Sequence, residues 1–175
     1  MTNSEGASIH ASAVRVGDRA VLIRGPSGAG KSRLAFDLIL AARAGQIPPA
    51  VLVGDDRVHL QASSGQLVVR PVRELAGLIE IRGLGIRGCA FAAEAVVSLV
   101  VDLCAEDAER LPPPEALLTQ VSGIRIPRIP VGAGYAALPM VLAALTLTES
   151  SAFTQRSADC PKGIGNHISP TIATE

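Results

Sequence analysis

Four groups of side chains in this chain have the types and spacing to handle a phosphoryl group. The first is "GPSGAGKS", residues 25–32, in which Gly25, Gly30, Lys31 and Ser32 follow the spacing G-x-x-x-x-G-K-S around Pro26, Ser27, Gly28 and Ala29. Glycines there let backbone N–H groups curl around an anion, and a helix starting at Lys31 would aim its positive end at the same point. Lys31 would reach the terminal phosphates of a nucleotide, and the Ser32 hydroxyl would ligate Mg2+. A chance Gly-rich turn is the competing reading. The context argues against it, because a short apolar run precedes the loop and a helically periodic one follows.

The second group is Asp55 and Asp56, directly after the apolar run "AVLVG". Ligands of open α/β sheets bind at such strand ends. A carboxylate there can hold Mg2+ or accept a proton from an attacking hydroxyl. Two adjacent Asp on an extended chain point to opposite sides, so one faces the phosphate while the other braces the surroundings. A solvated turn is the bland alternative, but "DDRVHL" continues as strand. The third group, in "IEIRGLGI", puts Glu80 and Arg82 on one strand face just before Gly83 and Gly85, where a backbone can approach a ligand or another chain. Taken alone it reads as an exposed face with a Glu–Arg pair. The fourth is His10. A single His on a strand is ordinarily structural, but beside the phosphate loop it can pair with an Asp. His59 and His167 receive no role.

These groups need a scaffold. Residues 8–16 alternate like a strand, "GD" at 17–18 turns the chain, and residues 20–24 form a buried strand hairpinned to the first. The helix runs over residues 31–45 with Gly45 at its C-cap. Residues 50–54 are a second buried strand, the parallel neighbour expected after a strand–loop–helix unit. Residues 56–61 and 66–72 flank "ASSG" as a hairpin. Residues 73–88 begin as a short helix and end in a Gly-punctuated segment. Residues 95–103 are a buried strand, 124–131 are extended because two X-Pro steps oppose helix, and 135–148 are an apolar helix with Pro139 in its first turn. The fold class is α/β, one catalytic domain over residues 1–149 on a mixed sheet, with a polar tail over 150–175 read as loose.

Composition closes off other classes. The chain has 175 residues, 48% hydrophobic and 18% charged, enough for one packed domain. Its formal net charge is zero and only three Phe and one Tyr are present, so no basic, aromatic surface for nucleic acid is expected. Cys89, Cys104 and Cys160 have no paired spacing, which points to neither disulfides nor zinc; the first two read as small core residues. No signal-peptide pattern or membrane-length apolar run is evident, so a cytoplasmic protein is expected.

In this order and spacing, "IHASAVRV", "GPSGAGKS", "VLVGDDRV" and "LAGLIEIRGLGI" resemble the HPr kinase/phosphorylase family, bacterial serine kinases that act on the phosphocarrier protein HPr. The likeness covers residues 9–86 and weakens through 103. It implies a P-loop kinase domain related to phosphoenolpyruvate carboxykinase, ATP and Mg2+ as cofactors, HPr as protein substrate, hexamers in the family, and a role in regulating the phosphotransferase system and carbon and nitrogen metabolism. It carries His10 and Lys31 over as catalytic, Ser32 and Glu80 as Mg2+ ligands, and residues 79–88 as a segment serving both reaction directions. It makes Asp55 the residue that takes the serine proton, and that returns it when phosphate attacks phosphoserine to give pyrophosphate. The long members also have an N-terminal domain and a C-terminal catalytic arginine. Here the chain starts at the kinase domain, as in short forms, and Gly134 or Tyr135 stands at the arginine's place, with Arg125 and Arg128 upstream. The stretch from residue 82 to 87 is the expected docking surface. Two other readings stand beside this one: a small-molecule kinase on the same loop, and a nucleotide-sensing regulator that binds a partner without catalysis.

Overall fold

The structure, a computed structural model, describes residues 7–147. The tail over 150–175 and Cys160 lie outside the described residues. Eleven strands and two α-helices occur among those described. The strands are β1 (Ser8–His10), β2 (Ser12–Val16), β3 (Arg19–Arg24), β4 (Ala50–Gly54), β5 (Arg57–Ser63), β6 (Gln66–Pro71), β7 (Leu78–Ile81), β8 (Gly85–Gly88), β9 (Ala95–Leu103), β10 (Leu118–Val121) and β11 (Ile124–Val131). The helices are α1 (Lys31–Arg43) and α2 (Ala137–Thr146).

Nine strands form one curled mixed sheet, ordered β1-β5-β6-β9-β3-β2-β4, with β11 added to β9 and β10 to β11. β9 is its spine. Nine nearly continuous apolar residues suit a strand buried on both faces. One edge of β9 runs parallel to β3. Its other edge is shared: β6 pairs antiparallel with the start, at Ala95 and Val96, while β11 pairs parallel with residues 100–103. The alternation along β3 sends Val21 and Ile23 to the side covered by α1, where they meet Leu34, Leu38, Leu52 and Val101. Ala20 and Leu22 face the opposite side and pack with Val53, Val58, Val69 and Val100.

Most local expectations hold. β2 and β3 form the hairpin, β5 and β6 pair through Ser63 and Gln66, and Pro139 sits within the first turn of α2. α1 ends with N–H bonds from Gly45 to the Ala42 carbonyl and from Gln46 to the Ala41 carbonyl, the double closure that satisfies a helix C-terminus.

Other expectations are corrected. Residues 8–16 are two strands, because the Ala11 N–H turns to the Asp56 carbonyl and β1 pairs with β5. β4 is not the hydrogen-bonded neighbour of β3; β2 lies between them, antiparallel to both, and β9 is the parallel neighbour. The helix expected after residue 73 is a single 3-10 turn, Arg73–Leu75. β10 was not anticipated. Cys104 is exposed in a turn at φ 57 and so is not core, while Cys89 is half-buried and packs against the edge of the core. Burial pushes the Cys89 thiol above its ordinary pKa. No helix among the described residues is long and apolar enough to cross a membrane.

Candidate active site

The Gly-rich loop joins β3 to α1, as its sequence requires. Gly25 takes φ 149, and a Cβ there would lie 2.9 Å from the Leu103 carbonyl oxygen at the end of β9. The loop therefore starts by pressing its backbone onto the neighbouring strand. Gly30 precedes α1 at φ 95, and the first turn of the helix has neither a side-chain cap nor an acidic residue. Its leading N–H groups are left for another acceptor. The Lys31 ammonium folds back to the carbonyls of Gly25 and Pro26, 3.0 Å from each. Lys31 is buried, and desolvation pulls its pKa below the ordinary lysine value against the pull of Asp55 and Asp56.

The adjacent aspartates occupy opposite stations. The Arg57 N–H bonds back to the Asp55 carbonyl at 2.8 Å, and Asp56 takes φ 65, a three-residue turn that throws successive side chains apart. Asp56 emerges 66% exposed, with its Oδ1 3.5 Å from His10 Nε2. Asp55 is 3% exposed. Its Oδ1 accepts the Ser12 hydroxyl at 2.5 Å, and its Oδ2 accepts the Glu80 backbone N–H at 3.1 Å. Asp56 is thus the open carboxylate of the pair, and Asp55 the buried one bonded at both oxygens.

A cavity of about 790 Å³ brings these parts together. One wall is Ser27 to Ser32 of the loop, continued by Arg33, Phe36 and Asp37 of α1; the other is His10, Asp56, Glu80, Ile81 and Arg82. Gly25, Pro26 and Asp55 do not line the cavity. Glu80 projects from β7 while its neighbour Ile79 is buried. Gly83 and Gly85 shape the β7–β8 turn and do not line the cavity. A Cβ on Gly83 would meet nothing within 4 Å, so φ 86, not a close approach, accounts for glycine there.

Arg125 and Arg128 do not reach the cavity. Arg128 is committed to a half-buried knot: its Nε bonds Asp102 at 2.5 Å, and its terminal nitrogens bond Asp107 at 2.6 and 2.9 Å. Arg24, the residue just ahead of the loop, bonds the same Asp102 twice at 2.7 Å. Burial pushes the Asp102 carboxyl upward, but the two guanidinium groups outweigh it and hold the pKa below the usual carboxylate range. Tyr135 is 76% exposed and Gly134 sits beside it, both outside the cavity wall. The cations of that wall are Lys31, Arg33 and Arg82, with Arg33 3.7 Å from Asp37. Sequence reasoning missed Ser12 and the Arg24–Asp102–Arg128 knot. Ser12 carried a signal, since it occupies a place on β2 whose alternation otherwise sends Val14 and Val16 into the core.

Three comparisons bear on this site. The chain is similar to the HPr kinase/phosphorylase of Mycoplasma mycoides subsp. mycoides SC, 40% identical over 83 residues that make up 47% of this chain and 24% of that protein. Its likeness to the enzyme of the same description from Enterococcus faecalis is 37% identity over 141 residues, covering 73% of this chain and 43% of that one. The chain thus spans less than half the length of these relatives. The solved structure of the Hpr(Ser) kinase/phosphatase from Coxiella burnetii superposes with a TM-score of 0.62 at 25% identity, over 87% of this chain and 97% of that chain. The mixed α/β fold described above is thus shared with that structure. A family model, the HPr serine kinase C-terminal domain, matches residues 2–147, which takes in the loop, both aspartates and the hairpin, and so the chain belongs to that family.

Proposed function

We propose that this chain is a kinase that moves the γ-phosphate of ATP to a serine hydroxyl of the phosphocarrier protein HPr. The observation that carries the reading is a single cavity in which Lys31 and Ser32 face Asp56 and its neighbour His10. The loop is then a P-loop on a mixed sheet of the phosphoenolpyruvate carboxykinase kind, with its backbone N–H groups and the start of α1 around the β- and γ-phosphates. Lys31 leaves the Gly25 and Pro26 carbonyls for the phosphates, where its charge neutralises what builds up on transfer.

Asp56 is the base. As the serine oxygen bonds to the γ-phosphorus, the bond to the ADP oxygen breaks and the serine proton passes to Asp56. His10, 3.5 Å away, steadies that carboxylate. Asp55 is 3% exposed and already accepts a bond at each oxygen, which favours the open Asp56 for this part. In the reverse direction, inorganic phosphate attacks phosphoserine, pyrophosphate forms, and Asp56 returns the proton to the serine oxygen. No cluster of three His, Cys, Asp or Glu side chains suited to a metal occurs among the described residues. That fits Mg2+, which one or two protein oxygens and the substrate phosphates commonly hold. Ser32 and Glu80 would be those protein groups, and the ion, when bound, offsets phosphate charge.

The test is mass spectrometry of HPr incubated with this protein, ATP and Mg2+. One phosphate on one serine is expected, and its removal with pyrophosphate release when inorganic phosphate is added. ATP bound tightly with HPr left unmodified over hours would replace the kinase reading with that of a nucleotide-sensing regulator. Turnover with a metabolite alone would favour a small-molecule kinase.

A further inference from the structure

Three polar or charged residues are buried among the described residues: Ser12, Lys31 and Asp55. Lys31 belongs to the phosphate loop. The other two bond each other and take no part in the chemistry proposed above. Ser12 is fully buried, at a place on β2 where a valine would follow the pattern set by Val14 and Val16. A buried hydroxyl is costly unless bonded, and its short bond to a carboxylate is of the strong, charge-assisted kind.

What Asp55 does with its second oxygen gives the pair a purpose. The β7–β8 hairpin is a separate two-stranded sheet with no ladder to the main one. All of β8 is exposed, and β7 contributes one buried side chain, Ile79. β7 pairs only with β8, so its other edge has no strand beside it. The Glu80 N–H on that edge bonds Asp55 Oδ2 instead. Glu80 and Arg82 in the cavity wall thus hang on a hairpin whose polar link to the body of the protein passes through Asp55 and then Ser12.

We propose that Ser12 and Asp55 form a buried latch that fixes the β7–β8 hairpin over the phosphate loop, with Ser12 a positioning residue for the side chains the hairpin carries into the cavity. The hydroxyl holds the carboxylate in one orientation, and the carboxylate holds the Glu80 amide. Without the hydroxyl, Asp55 Oδ1 is buried without a partner and the carboxylate turns toward another donor. The consequence for turnover rests on the kinase reading; the latch itself does not.

Amide hydrogen exchange on the nucleotide-free protein tests the latch directly. In Ser12→Ala the Glu80 amide should exchange about tenfold faster, with β9 amides unchanged, and Ser12→Thr should restore protection. In phosphotransfer assays Ser12→Ala should lower kcat about tenfold and leave KM for ATP within about twofold, since the loop wall is not latched. An unchanged Glu80 amide would overturn the proposal, as would equal acceleration throughout β9, which marks general loosening. Wild-type protein that never phosphorylates HPr would overturn the kinase reading and leave the exchange result standing.

Discussion

The two walls of the cavity are built to different standards of rigidity. The loop wall grows out of the centre of the sheet: Gly25 presses on β9, α1 buries Leu34, Ala35 and Leu38, and the Arg24–Asp102–Arg128 knot ties β3, β9 and β11 together one residue before the loop. The hairpin wall is held by the buried Ile79, the partly buried Ile81 and one carboxylate, with Leu84 and Ile86 61% and 64% exposed. A phosphate cradle must be in place before charge moves, because preorganised dipoles cost nothing further during reaction. On the proposed kinase reading, the less packed arm facing it can yield, which suits a site that admits a protein side chain.

The aspartate pair stands where the walls meet, and it sets the largest expected effect. On the proposed kinase reading Asp56→Asn removes the base and should lower kcat for HPr phosphorylation by about a hundredfold to ten-thousandfold. Asp55→Asn should cost less than about tenfold, because the amide oxygen can still accept the Glu80 N–H while its nitrogen donates to Ser12 Oγ. Steady-state kinetics on both variants decides the matter. Equal losses, or the greater loss at Asp55, would return the base to the buried residue.

The next contrast is between glycines on the two walls. Gly25→Ala drives a Cβ to 2.9 Å from the Leu103 carbonyl and should cost about 1–3 kcal/mol in urea unfolding, with nucleotide affinity falling as well. Gly83→Ala meets no atom within 4 Å and should cost about 1 kcal/mol, the penalty for φ 86 alone. A reversed order would mean that the hairpin turn is the better packed of the two.

The knot beside the loop predicts a pH dependence. The guanidinium groups hold the Asp102 pKa below its unfolded value, so this carboxylate contributes stability above about pH 4. The contribution fades as pH falls from there through the lower folded pKa. Asp102→Asn should therefore cost about 1–2 kcal/mol at pH 7 and much less near pH 2, after discounting for partial exposure. Urea unfolding of both proteins at the two pH values measures it. A deficit that does not shrink in acid would assign the loss to packing and not to charge.

What the chain reveals before it folds follows how local each feature is. The loop, α1 and the β5–β6 hairpin were legible because turn residues and periodicity act over a few positions. So was the presence of a carboxylate pair at the end of β4. Which member of the pair faces the cavity was not, because it depends on the positive φ at Asp56 and on Ala11 and Ser12 arriving from another strand. The placement of β2 between β3 and β4 was hidden for the same reason: a hairpin signal says which strands pair, not which edge the next one joins. The Arg24–Asp102 contact spans 78 residues, and no spacing rule reaches that far. The loop wall is thus largely written in one segment, while the opposing wall is assembled from three.

The smallest expected effect lies on the outer face of the hairpin. Leu84 and Ile86 are large apolar side chains turned to solvent, so no packing among the described residues rewards them. Leu84→Ser or Ile86→Ser should change unfolding free energy by less than about 0.5 kcal/mol, as expected for surface positions without packing. Ile79→Ala on the same hairpin should cost about 2–4 kcal/mol, because that side chain is buried beneath α1. Calorimetry on the three variants compares the two faces of a single hairpin. A loss at Leu84 or Ile86 approaching that at Ile79 would show that the outer face is packed in solution. The contrast between a rigid cradle and a yielding arm would then no longer hold.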